Sequence, residues 1–269
     1  MGELFNTLLV NPTVNALLTF LYVFSRIGLP GAFGWSILAL TGAVRLLFNP
    51  FYAQQTKMAR DMAELKPHLD KLQANYKDNK QKLQQEQLKL YQERGINPAA
   101  GCIVALIQIP FFIALYRVIL LFLDQNTKSA IQQINKVVYV ETLKVSSFDP
   151  WFFGFNLTTA PSHFKEAGLH YLLIPLITAG LQYLQVTMQQ GPQPAKKEAE
   201  KKDDKKKETK QDDFQQIMSK QMRFMFPLMI GYFSYILPVG LAIYWNIFSL
   251  FSILQYKKGP WTIKLPFKN

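Results

Sequence analysis

Apolar and polar positions along the chain fall into separate blocks rather than alternating. From Ile27 to Thr56 the only charge is Arg45, from Gly95 to Leu123 it is Arg117, and from Ala167 to Ala195 there is none. Each run suits one crossing of a bilayer, whose hydrocarbon core of ~30 Å asks for about 20 apolar helical residues. Phe224 to Tyr256 is also uncharged, but as one helix it would measure about 50 Å at ~1.5 Å per residue, so it must turn back. Pro238-Val239-Gly240 lies near its middle, where a helix-breaking proline and a flexible glycine favour a tight reversal. The pattern predicts an all-α, polytopic membrane protein whose core, 33–256, has five spans: about 33–52, 98–121, 167–188, 217–237 and 240–256.

Ahead of the core, Asn11 to Ile27 carries Val14, Leu17, Leu18, Leu21 and Phe24 at helical spacing, interrupted by Asn15, Thr19 and Arg26. Residues 1–32 are expected to form an amphipathic helix at the outer interface, a sixth span being the weaker reading. Met1 to Val10 bears an acid where a secretory signal has a basic start.

The polar blocks have distinct characters. In 53–97, Leu65, Leu69, Leu72 and Tyr76 follow a heptad-like stripe, Asp78-Asn79 reads as a turn, and Leu83 and Leu90 resume the stripe. An antiparallel helical hairpin is expected, with Pro67 kinking its first arm or starting a new helix. It serves either as a solvated spacer or as an arm that meets incoming chains. Residues 191–213 have almost no aliphatic side chain and no aromatic one, and are expected to be disordered. In the loop 124–165, Ser129 to Val140 suits a short surface helix, and Trp151, Phe152, Phe153 and Phe155 an interfacial aromatic anchor.

Charge orients this plan. Segment 53–97 holds nine Lys/Arg, 189–223 holds ten and the tail 257–269 holds four. All three share one face in a five-span topology, and that face is cytoplasmic by the positive-inside rule. The N-terminus is then outside and the C-terminus inside. Most Lys and Arg fall in these segments, so the net charge of +12 points to topology rather than to nucleic acid. Cys102 is the only cysteine, which excludes an internal disulfide and a paired-Cys metal site. His68, His163 and His170 are scattered, and no HExxH, GxSxG or phosphate-cradling glycine loop occurs. No cofactor and no enzymatic activity are expected.

Arg45 asks for a function. A charge within a span costs at least ~2.5 kcal/mol on insertion scales, and no carboxylate occurs in any expected span. It either snorkels to the inner interface or faces a water-filled groove that Gln108, Gln185, Trp245 and Asn246 could line. Arg117, near the outer end of its span, is expected to snorkel. A positive, hydrated groove could draw in an acidic segment while the flanking apolar segment moves into lipid. A small solute channel or transporter would also use a buried charge, but no inverted repeat or acidic coupling site accompanies it.

Several strings, in order, resemble the YidC/Oxa1/Alb3 insertase family over roughly residues 33–256: AVRLLFNP around Arg45, then ELKPHLDKLQANYKDNKQKLQQEQLKLYQERGINPAAGC, LIQIPFFIALYRVI, and LPVGLAIYWNIFSLFSILQ. The second contains Glu64, Pro67, Leu69, Leu72 and Tyr76. The resemblance implies a five-helix core around a hydrophilic groove open to cytoplasm and lipid, in a bacterial plasma membrane. It places Arg45, Gln185 and Trp245 in that groove. It also implies newly made small membrane proteins as partners, received by a monomer alone or beside the Sec translocon. The sequence departs from the family in having Ile103-Val104 after Cys102 where a proline is common. The large outer domain of Gram-negative relatives is missing, and the short basic tail suits only weak ribosome contact.

Overall fold

The computed structural model describes residues 2–76, 79–96, 99–123, 127–190 and 212–258. Its helices are α1 (Gly2–Arg26), α2 (Ala32–Leu47), α3 (Asn49–Asn75), α4 (Lys80–Glu93), α5 (Ala99–Leu123), α6 (Thr127–Lys136), α7 (Leu173–Gln190), α8 (Asp212–Ile236) and α9 (Val239–Lys258). A two-stranded antiparallel hairpin, β1 (Trp151–Phe152) and β2 (Phe155–Asn156), lies between α6 and α7. Among the described residues, α1, Leu169–Met188 and Val239–Lys257 are each long and apolar enough to cross a membrane. The pair α2 and α3 adds a fourth if counted as one bent span.

One expected boundary is corrected. The segment 33–52 is not one straight helix: α2 ends at Leu47, and α3 leaves at 73° after a break at Phe48. Pro50 explains the break, because it has no N–H to offer the Leu46 carbonyl. The helix expected within residues 1–32 runs from Gly2 to Arg26, passing through a π-helical stretch at Asn6–Val10. Its length of 25 residues is enough to cross a membrane as well as to lie along one.

Asn15 does not weaken the buried face of α1 as the sequence suggests. Its Nδ2 donates to the Val137 carbonyl at 2.8 Å, and its Oδ1 accepts from the Tyr139 N–H at 2.7 Å. The chain leaving α6 is thereby tied to α1, beside the buried Val14, Leu17, Leu18 and Leu21.

The apolar centre brings α2, α5 and α9 together through Ile37, Ile119 and Leu241, closed from one end by Leu157. The reversal before α9 occurs at Leu237-Pro238, and Gly240 lies inside the helix. Gly240 serves by its size: its N–H donates to the Leu157 carbonyl at 2.9 Å, and a Cβ would meet that oxygen at 3.3 Å. The Val239 N–H donates to the Thr159 carbonyl at 3.1 Å, so the loop caps two amides that the helix start leaves open. Helix α7 packs on both α8 and α9. Small residues let α7 approach α8, with Gly231 against Ala179 and Thr178 Oγ1 3.1 Å from Ser234 Oγ.

Pro67 is exposed and lies inside α3, so it does not start a new helix. Helices α3 and α4 share a cleft lined by His68, Lys71, Leu72, Glu86, Lys89 and Leu90, as two antiparallel arms would. Asn79 caps α4, its side chain accepting from the Lys82 N–H at 3.0 Å. The expected disordered run 191–213 lies outside the described residues except for its last two positions, in α8, and the tail beyond Lys258 also lies outside.

Candidate functional site

Arg45 occupies the last turn of α2, three residues before the break at Phe48. It does not snorkel into solvent, being only 3% exposed. Its Nη2 donates to Ser252 Oγ and to Gln255 Oε1, both at 2.9 Å. The guanidinium carbon lies 4.2 Å from the centre of the Tyr52 ring and 4.3 Å from that of Phe248. The two rings stand 5.7 Å apart at 73°, forming a corner over the cation. The break after α2 makes this possible, because α3 turns back far enough to set Tyr52 beside a residue seven positions earlier.

These partners are all neutral. The one ion pair among the described residues joins Lys144 to Glu141 on the surface. Among the described residues no carboxylate compensates the charge of Arg45, and its Nε and Nη1 find no acceptor. Among the described residues four further buried polar atoms are also unpartnered: Gln185 Oε1, Arg223 Nε, Asn246 Oδ1 and Ser249 Oγ. Buried groups of this kind are normally met by water or a ligand. The sequence led to a water-filled groove beside Arg45; among the described residues the head of Arg45 is met by two rings, an amide and a hydroxyl.

The expected groove residues divide accordingly. Trp245 and Asn246 are on α9, the helix that supplies Ser252 and Gln255. Trp245 is buried and stacks on Phe112 of α5, with ring centres 5.5 Å apart and an interplanar angle of 12°. Gln185 is on α7, on the same helical face as the buried Thr178 and Gln182. Arg45 bonds to none of these three. The side chain of Gln108, on α5, lies outside the described residues. Sequence reasoning missed Asn49, Tyr52, Phe248, Ser252 and Gln255. A signal existed in α9, where Asn246, Ser249, Ser252 and Gln255 recur at every third position of an otherwise apolar helix.

On the arm, Leu65 is buried, while Leu69, Leu72 and Tyr76 are half-buried. Glu64 and Pro67 are exposed. Arg60 donates to the Tyr256 carbonyl, and its guanidinium lies 5.4 Å over the Tyr256 ring. The arm is thus fastened to the end of the helix that holds Arg45.

The profile of the 60Kd inner membrane protein family matches residues 24–258. The chain is 30% identical over 238 residues to ALBINO3-like protein 1, chloroplastic, of Arabidopsis thaliana, covering 86% of this chain and 44% of that one. It is 32% identical over 227 residues to the membrane protein insertase YidC of Granulibacter bethesdensis, covering 84% and 34%. Against the membrane protein insertase YidC of Oceanobacillus iheyensis the identity is 27% over 262 residues, covering 95% and 84%. The chain thus spans less than half the length of the first two relatives and most of the third. Its fold is similar to a crystal structure of active YidC insertase with the first transmembrane domain resolved, at TM-score 0.52 and 24% identity, over 88% of this chain and 44% of that one. The matched profile covers α2 to α9 and the site around Arg45, and the chain belongs to the 60Kd inner membrane protein family, that of YidC, Oxa1 and ALBINO3.

Proposed function

We propose that this chain is a membrane protein insertase and chaperone: it receives a polar, acid-bearing segment of a newly made membrane protein at Arg45 and releases the apolar remainder sideways into lipid. The single observation that carries the reading is a buried, uncompensated guanidinium with unpartnered N–H groups. A carboxylate brought to it gains charge-assisted hydrogen bonds. Gln185, Asn246 and Ser249 offer polar atoms to the same passenger or its water. Leu176, Ile177 and Leu184 on α7, with Phe224, Leu228 and Tyr232 on α8, are exposed and give the apolar flank a greasy surface on its way out. The drive is removal of apolar area from water, roughly 25 cal/mol per Å², so the site need only lower a barrier.

In this reading the protein lies in the bacterial plasma membrane, crosses it five times with its N-terminus outside and C-terminus in the cytoplasm, and works as a monomer, alone or beside the Sec translocon. The paired arms α3 and α4 face the cytoplasm, where they meet incoming chains, and the ribosome is at most a weak partner. The test is reconstitution into liposomes with a small membrane protein as passenger, scored by protease protection on the far side. Protection above that in protein-free liposomes is the expected result. Saturable solute flux abolished by Arg45→Ala, without protection of any passenger, would indicate a channel instead.

A further inference from the structure

Arg45, Gln255 and Asn49 form a buried relay, with exposures of 3%, 1% and 7%. Its direction is fixed by chemistry. Arginine only donates, so the Gln255 oxygen must face Arg45 Nη2, at 2.9 Å. The Gln255 nitrogen then faces Asn49 Oδ1, at 3.1 Å. Asn49 is the first residue of α3, immediately after the 73° break. Together with the contact of Arg60 on Tyr256, the end of α9 holds α3 at two points.

A carboxylate binding an arginine at two points uses a planar fork of parallel N–H bonds. The guanidinium has two such forks, Nε with Nη2 and Nη1 with Nη2, and both include Nη2. Those Nη2 donors are the ones held by Ser252 and Gln255. An acidic group cannot engage Arg45 at two points without displacing one of them. We propose that Gln255 is a positioning residue that couples occupation of Arg45 to the setting of α3. Capture of a carboxylate through the fork whose Nη2 hydrogen Gln255 holds takes that donor from Gln255, the amide turns away, and its bond to Asn49 at the break is lost. The arm then loosens when an acidic passenger is in place. This deepens the assignment of Arg45 as the receiving site and rests on it.

The test is amide hydrogen exchange over residues 51–60 of the full chain in lipid nanodiscs, with exchange in α7 as the control for intact folding. The probes are two synthetic transmembrane peptides that differ only in Asp or Asn at the leading polar end. Without peptide, Gln255→Leu is expected to speed exchange at 51–60 roughly fivefold, the factor that one net hydrogen bond is worth. Asn49→Ala, which removes the acceptor of the Gln255 amide and leaves the Gln255 oxygen in place for Arg45, is expected to do the same and decides the matter if Gln255→Leu disturbs α7. The Asp peptide should speed exchange in the wild type, the Asn peptide should not, and neither should add to Gln255→Leu. Unchanged peptide-free exchange in the variants, or equal acceleration by both peptides, overturns the coupling. Binding of each peptide is measured in the same samples. Equal binding of both to wild type and Arg45→Ala removes Arg45 as the receiving site, an outcome separate from the peptide-free comparison.

Discussion

Arg45 and Tyr52 face each other across a helix break, with the guanidinium carbon 4.2 Å from the centre of the ring. Two helices that diverge by 73° thus share a buried cation, and the corner is completed by Phe248 of α9. A cation taken from water needs such faces when no carboxylate is near, since ring quadrupoles attract it without neutralising it. The arrangement holds the charge without neutralising it.

The Tyr52 ring should therefore stabilise the site. Tyr52→Leu is expected to lower stability by about 0.5–2 kcal/mol, the range for a cation–π contact, while Tyr52→Phe keeps most of it. Thermal unfolding followed by circular dichroism in detergent would show the difference as a lower Tm for Leu only.

Asn15 offers a sharper structural test. Its side chain satisfies the Val137 carbonyl and the Tyr139 N–H. Asn15→Leu leaves both without that partner, at about 1–3 kcal/mol for each orphaned group. Limited proteolysis should find new cleavage near residues 137–140, whereas Thr19→Leu on the same helix should not produce it.

The β hairpin is keyed to α2 through glycine. A Cβ on Gly34 would lie 2.3 Å from the Phe152 ring, and Trp35 meets that ring edge-on at 5.5 Å. Gly34→Ala is expected to cost about 1–3 kcal/mol, as overpacking does, and to change tryptophan emission. Phe152→Ala in the same chain should recover part of the loss, so the double-mutant cycle should show a coupling rather than additivity.

Fastening of the arm should matter to transport more than to folding. Arg60→Ala removes the contact with Tyr256 and is expected to reduce passenger protection in liposomes while Tm falls by little. Deletion of residues 55–92 should reduce it further with the spans still folded. Full insertion by that deletion would make α3 and α4 a spacer.

Much of this was legible in the sequence, for reasons that differ by element. Uncharged runs marked the apolar helices, because burial in lipid leaves little freedom in composition, and Pro238 marked the last reversal. The break at Phe48 was hidden: Asn49-Pro50 was in plain view, but it adjoins an apolar run that tolerated either a straight or a bent helix. Arg45 stood out as a charge in an apolar segment. Its partners did not, because Ser252 and Gln255 lie over two hundred positions away and their register on α9 is a property of packing. Asn15 was misread for the same reason: a polar residue on an apolar face is a flaw or a clamp depending on what lies opposite, and Val137 and Tyr139 come from a remote loop.

In the proposed function the charge of Arg45 receives acidic passenger segments. The most direct measurement compares wild type, Arg45→Lys and Arg45→Ala in liposomes, using one passenger whose leading segment carries zero, one, two or three Asp residues. Protease protection should fall with Arg45→Ala by a factor that grows with the number of Asp residues, and Arg45→Lys should lie between, keeping the charge but losing the planar fork. Equal protection by wild type and Arg45→Ala across the whole series would show that the charge of Arg45 does not receive them.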